Sequence, residues 1–96
     1  MKNTMKFISY QVKLTPGQIK AARALIGWSA EELSLATALG ITTIRRAELA
    51  EAETTLTVAN DLAVRRALEA AGVEFIDENG GGPGVRLRKR SSSKTV

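Results

Sequence analysis

The stretch SAEELSLATALGITTIRRAE, residues 29–48, leaves the backbone few choices. Ser29 followed three residues later by Glu32 is a capping box. The serine oxygen takes an amide proton of the first turn, and the glutamate reaches back to the serine amide. Glu31 and Glu32 also suit the positive end of a helix. Leu33, Ala36 and Thr37 then fall on an inward face. The spacing predicts a break near residues 38–40, with Gly40 as an acceptable N-cap for a second helix. Ile44 and Ala47 are the expected buried positions of that helix. Two short helices joined by a tight turn are therefore expected here.

The flanks extend the same pattern. Thr15-Pro16-Gly17-Gln18 can cap a helix, place proline in its first turn and close a second capping box. Ile19, Ala22, Leu25 and Ile26 line one face of that helix, Gly27 ends it, and Trp28 packs into the corner. Residues 51–57 read as a loop of small and polar side chains. Thr57 caps a longer helix running to Ala71, anchored by Leu62 and Leu68 with Val58, Val64, Ala67 and Ala71 around them. Gly72 supplies a left-handed turn with Val73 as its apolar follower. Residues 73–76 and 85–88 read as strands joined by a glycine-rich loop, a β-hairpin. Residues 6–14, KFISYQVKL, alternate as a strand would; the alternative is a segment with no fold of its own. The expected architecture is mainly α: four short helices over residues 15–72, a hairpin over 73–88, an N-terminal extension over 1–14 and a basic, disordered tail over 89–96.

Composition narrows what such a domain does. Ninety-six residues suit one domain with a small core, which a second subunit can supplement. Apolar residues make up 44% and aromatics 4%, which favours packed short helices over a large sheet. There is no cysteine and no histidine, so a thiolate metal site is excluded, and general acid–base chemistry lacks its commonest agent. The paired carboxylates Glu31/Glu32, Glu51/Glu53 and Asp77/Glu78 read as helix-end and loop charges. Neither catalytic residues nor a metal or cofactor are expected. The loop DENGGGPG, residues 77–84, lacks the Lys-Ser/Thr of a phosphate loop and opens no helix. No apolar run is long enough to span a bilayer, and FISYQV is too short and polar for a secretory signal. A cytoplasmic, non-enzymatic protein is the expectation.

The charge is +4, but its distribution matters more than its sum. All ten acids lie within residues 30–80, against only Arg45, Arg46, Arg65 and Arg66. The other cations sit near the two ends, Lys20, Arg88, Lys89 and Arg90 among them, where they suit phosphate contacts. Arg65 and Arg66 read as a surface pair for Glu69. In the second helix of the 29–48 stretch, Ile41, Thr42, Arg45 and Arg46 are free to point outward. Arginine can bind a guanine edge through two donors, and threonine and isoleucine can meet thymine methyls. This is the layout of a helix-turn-helix that reads the DNA major groove. The competing account is an ordinary helical hairpin with a solvated arginine pair.

The run LTPGQIKAARALIGWSAEELSLATALGITTIRRAE resembles the Cro/lambda-repressor-type (XRE-like) bacterial helix-turn-helix regulators. It is similar in particular to small members beginning TPxQxxAARxLxGWSxEEL and continuing as RRALEAAGVEF-ENGGGPGVRLRK, which match residues 65–75 and 78–89. The resemblance implies a lambda-repressor-like fold and a homodimer that represses or autoregulates transcription on a pseudo-palindromic duplex. It implies base contacts by Ile41, Thr42, Arg45 and Arg46, with Ser29 and Thr43 on the DNA backbone. Ala30 stands where the family has glutamine, Ala38 where it has its turn glycine, and Gly40 where it has a serine or threonine cap. The alternative is an antitoxin or adaptor that binds a protein partner through its hairpin and tail.

Overall fold

The computed structural model describes residues 13–88. Four helices, α1 (Pro16–Ile26), α2 (Ala30–Thr37), α3 (Ile41–Leu49) and α4 (Val58–Ala70), are followed by strands β1 (Val73–Ile76) and β2 (Gly84–Leu87). The domain is mainly α with one antiparallel hairpin. The strands pair Val73 with Leu87, Glu74 with Arg86, Phe75 with Val85 and Ile76 with Gly84. Most of the expected N-terminal strand, the tail, Lys89 and Arg90 lie outside the described residues. Lys13 and Leu14, the last two residues of that expected strand, are not in a strand.

Local chemistry sets the helix starts. Thr15 Oγ1 accepts from Gln18 N at 3.1 Å, and Gln18 Oε1 accepts from Thr15 N at 2.9 Å. Ser29 and Glu32 make the same reciprocal pair. Thr57 Oγ1 accepts from Asn60 N at 3.1 Å to start α4. Gly27 ends α1 at φ 72°, a left-handed conformation that glycine adopts without steric cost. Gln18 does more than close its box. Buried under the hairpin, its Nε2 donates to Gly84 O at 3.0 Å and Ile76 O at 3.3 Å, tying both strands to α1.

The core joins every element. Leu14, Ile19, Ala22, Leu33, Ile44, Ala47, Leu56, Val64, Leu68 and Val73 are buried together, with Trp28, Phe75 and Val85 packed against them. Several sequence expectations are corrected here. Leu62 and Val58 do not anchor α4; both are exposed, as are Leu25 on α1 and Ala36 on α2. The inward face of α4 is Asp61, Val64 and Leu68. Asp61 is only 2% exposed because its Oδ1 accepts the Leu14 amide proton at 3.0 Å. Burial pushes its carboxyl pKa up, opposed by that hydrogen bond and by Arg65 and Lys13. Asp61, Val64 and Leu68 share one helical face, and Leu62, six residues before Leu68, falls outside it. The loop over residues 51–57 is not merely polar either, since it lowers Leu56 and Thr54 into the core.

The α2–α3 turn carries a local strain. Ala38 adopts φ 62°, alone among the described non-glycine residues in having positive φ. An alanine pays about 1–2 kcal/mol for this region. Neighbouring side chains support the turn: Ser34 Oγ donates to Leu39 O, and Thr37 Oγ1 donates to Leu33 O at 2.8 Å while accepting from Leu39 N at 3.3 Å. Ala38→Gly removes the strain but adds roughly 0.5–1 kcal/mol of backbone entropy to overcome. The net expectation is a gain of about 0.5 kcal/mol, or roughly 3 °C in thermal midpoint. A midpoint that stays put or falls would show that the turn is not strained.

Candidate nucleic-acid interface

The geometry of α3 follows from its sequence period. Ile44, Ala47 and Glu48 face the domain, while Thr42, Arg45, Arg46 and Leu49 are exposed on the opposite side. Ile41 is half-buried at the first turn, and Thr43 is half-buried at the flank. Three of the four expected base contacts thus share an open face, with Ile41 at its edge. Leu49 was not anticipated. It is 79% exposed, two helical turns beyond Thr42, and it places an apolar side chain among the arginines. The 42/45/46/49 spacing was its available signal.

The inner side of α3 is fixed by an ion pair that sequence reasoning also missed. Arg23 on α1 donates Nε to Glu48 Oε2 and Nη2 to Glu48 Oε1, both at 2.7 Å. Its Nη1 donates to Trp28 O at 2.9 Å. The side chains are only 20% and 9% exposed. Hydrogen bonding to Glu48 raises the Arg23 pKa above its ordinary value, against the opposing effect of burial. One guanidinium therefore clamps α1, the α1–α2 corner and α3. Twenty-five residues separate the pair, so no local pattern announces it.

The outward arginines have different surroundings. Arg45 Nη2 lies 2.7 Å from Glu31 Oε2, across from the first turn of α2. Both side chains are more than half exposed, a setting in which ion pairs contribute about 0.2–1 kcal/mol. An ion pair this weak leaves the remaining guanidinium donors open to another acceptor. The Glu31 carboxyl is held below its usual range, chiefly by its own amide at the helix start and further by Arg45. Arg46 is exposed and has no ion pair among the described residues.

The expected phosphate contacts are dispersed. Ser29 sits at the start of α2 with its oxygen accepting from Glu32 N and its amide donating to Glu32 Oε1. Lys20 is exposed on α1, one turn before Arg23. Arg88 is engaged elsewhere: its Nη2 donates to Glu69 O at 2.9 Å, at the C-terminal end of α4. Arg65 pairs with Glu69 at 3.8 Å and Asp77 at 3.5 Å and stacks 5.1 Å from the Phe75 ring centroid. It is therefore a structural cation, joining α4 to the hairpin.

Other chemistries find little here. Among the described residues, no group of three or more Asp or Glu side chains could hold a metal ion, and no helix is long and apolar enough to cross a membrane. A cavity of about 470 Å³ opens between Lys13, Leu14 and Thr15, the loop at Ala52 and Glu53, and the hairpin loop at Glu78 and Pro83. Its polar lining is Lys13, Thr15, Glu53 and Glu78, and none of the expected base contacts of α3 lines it. No protein-family model and no curated protein matches the chain.

Proposed function

We propose that the protein binds double-stranded DNA sequence-specifically, with α3 in the major groove, and acts as a transcriptional regulator, a repressor or autoregulator. The observation that carries this reading is the two-sidedness of α3. Its inner face is buried and clamped by Arg23 through Glu48, while its outer face presents Thr42, Arg45, Arg46 and Leu49 to solvent. A rigidly held helix with two arginines and apolar methyls outward has the donors for guanine and the contacts for thymine. Thr43 on α3, Ser29 at the start of α2 and Lys20 on α1 are the residues this reading assigns to the DNA backbone, with helix starts adding amide donors.

One nine-residue helix covers few base pairs. Useful specificity needs two copies on a pseudo-palindrome, with half-sites about one DNA turn apart. Light scattering with and without duplex tests ligand and stoichiometry together. The expected result is a complex holding two protomers per duplex. A protein mass unchanged by duplex at low salt would overturn the reading.

A second reading is an antitoxin or adaptor docking a protein through the hairpin. It is favoured by Leu87, 53% exposed on β2 beside the exposed ion pair of Arg86 and Glu74. Deleting the hairpin is not a clean test, because Val73, Phe75 and Val85 belong to the core. Leu87→Asp changes a half-exposed position opposite Val73, and loss of a co-purifying partner in this variant with an unchanged thermal midpoint would support the hairpin as the docking site.

A further inference from the structure

The two outward arginines of α3 differ in one respect. Arg46 has no ion pair among the described residues, whereas Arg45 faces a carboxylate 2.7 Å away on another helix. We propose that Glu31 is a positioning residue for Arg45, holding its guanidinium ready for a guanine edge and cancelling the attraction it would otherwise exert on any phosphate. This rests on the DNA-binding reading.

The donor count permits it. A guanidinium carries five N–H donors in a planar fork. Glu31 Oε2 takes one of them, on Nη2, and a guanine edge needs two. Carboxylate and base can therefore be held at once, and a guanidinium fixed at one corner has less freedom to lose on reaching the base. Glu32, not Glu31, makes the reciprocal box with Ser29, and Glu31, held at the same helix start by its own amide, has an oxygen on Arg45. The carboxylate also sits where a phosphate passing Arg45 would meet a negative charge. Non-specific binding relies on phosphate attraction and is weakened most by such a charge, while a correct guanine contact is kept. Arg46 then supplies charge attraction and Arg45 supplies base choice.

The test is selection of duplexes from a randomised pool by the wild-type protein, Glu31→Gln, Glu31→Asp and Arg45→Ala, with random-duplex affinity measured beside it. Wild type should enrich a guanine at one position, and Arg45→Ala should lose it. Glu31→Gln should bind random duplex about threefold more tightly, in line with the strength of an exposed ion pair, and its guanine enrichment should fall. Glu31→Asp keeps a negative charge at the helix start but withdraws it by one methylene. It should lose guanine enrichment with an unchanged thermal midpoint, which a purely helix-stabilising role for Glu31 would not produce. Undiminished guanine enrichment in both Glu31 variants would overturn the positioning role while DNA binding stands. Failure of the wild-type protein to retain any duplex would overturn both.

Discussion

Glu48→Ala is expected to lower the unfolding free energy by about 3 kcal/mol, the low end of what breaking a buried pair costs. The carboxylate accepts two hydrogen bonds from Arg23 and is almost fully enclosed. Its removal leaves a guanidinium in a largely buried site with Trp28 O as its remaining partner. Arg23 retains some access to water, which limits the loss. A domain of this size should show a midpoint drop of roughly 10–20 °C in calorimetry. Replacing both partners with apolar side chains of similar volume, Arg23→Met with Glu48→Leu, should recover most of it, because no charge is then stranded. A single variant within about 0.5 kcal/mol of wild type would show that the clamp does not hold α3.

Replacing Arg45 and Arg46 together with alanine should reduce affinity for a selected duplex by about 100-fold, equivalent to roughly 3 kcal/mol. The fold should be unaffected, since both side chains are exposed and only Glu31 loses a partner. The single variants should separate the contributions. Arg46→Ala should flatten the dependence of log affinity on log salt by about one phosphate contact. Arg45→Ala should leave that slope nearly intact and relax one base preference. The acids concentrated in residues 30–80 make this arginine pair more consequential, because the only other cations in that stretch are Arg65 and Arg66.

The parts of the fold legible in the sequence are those determined within one helical turn. The boxes at Thr15 and Ser29, the caps at Gly40 and Thr57 and the left-handed stop at Gly27 depend on neighbours three or four residues away. Ile44 and Ala47 were legible because the α3 period admits one inner face. The orientation of α4 was not, because a buried acid decided it: Asp61 turns inward for the Leu14 amide and leaves Leu62 and Val58 outside. Ala36 and Leu25 went astray for a related reason, since apolar residues outnumber the inward positions of these short helices. Leu56 lies in a segment without periodicity and was read as loop. In the candidate site, the outward set on α3 was readable from spacing. The carboxylates that govern it, Glu48 from below and Glu31 from the side, belong to pairs that only folding brings together.

Reading of a duplex by α3 can be measured in solution. The most direct measurement is a mobility-shift titration on the DNA immediately upstream of the coding sequence, at low and moderate salt, with wild type, Arg45→Ala and Arg46→Ala. Wild type should give a discrete shifted complex that weakens steeply with salt and that either substitution impairs by about tenfold or more. A wild-type complex that both variants reproduce unchanged, or no complex at low salt, would contradict reading by α3.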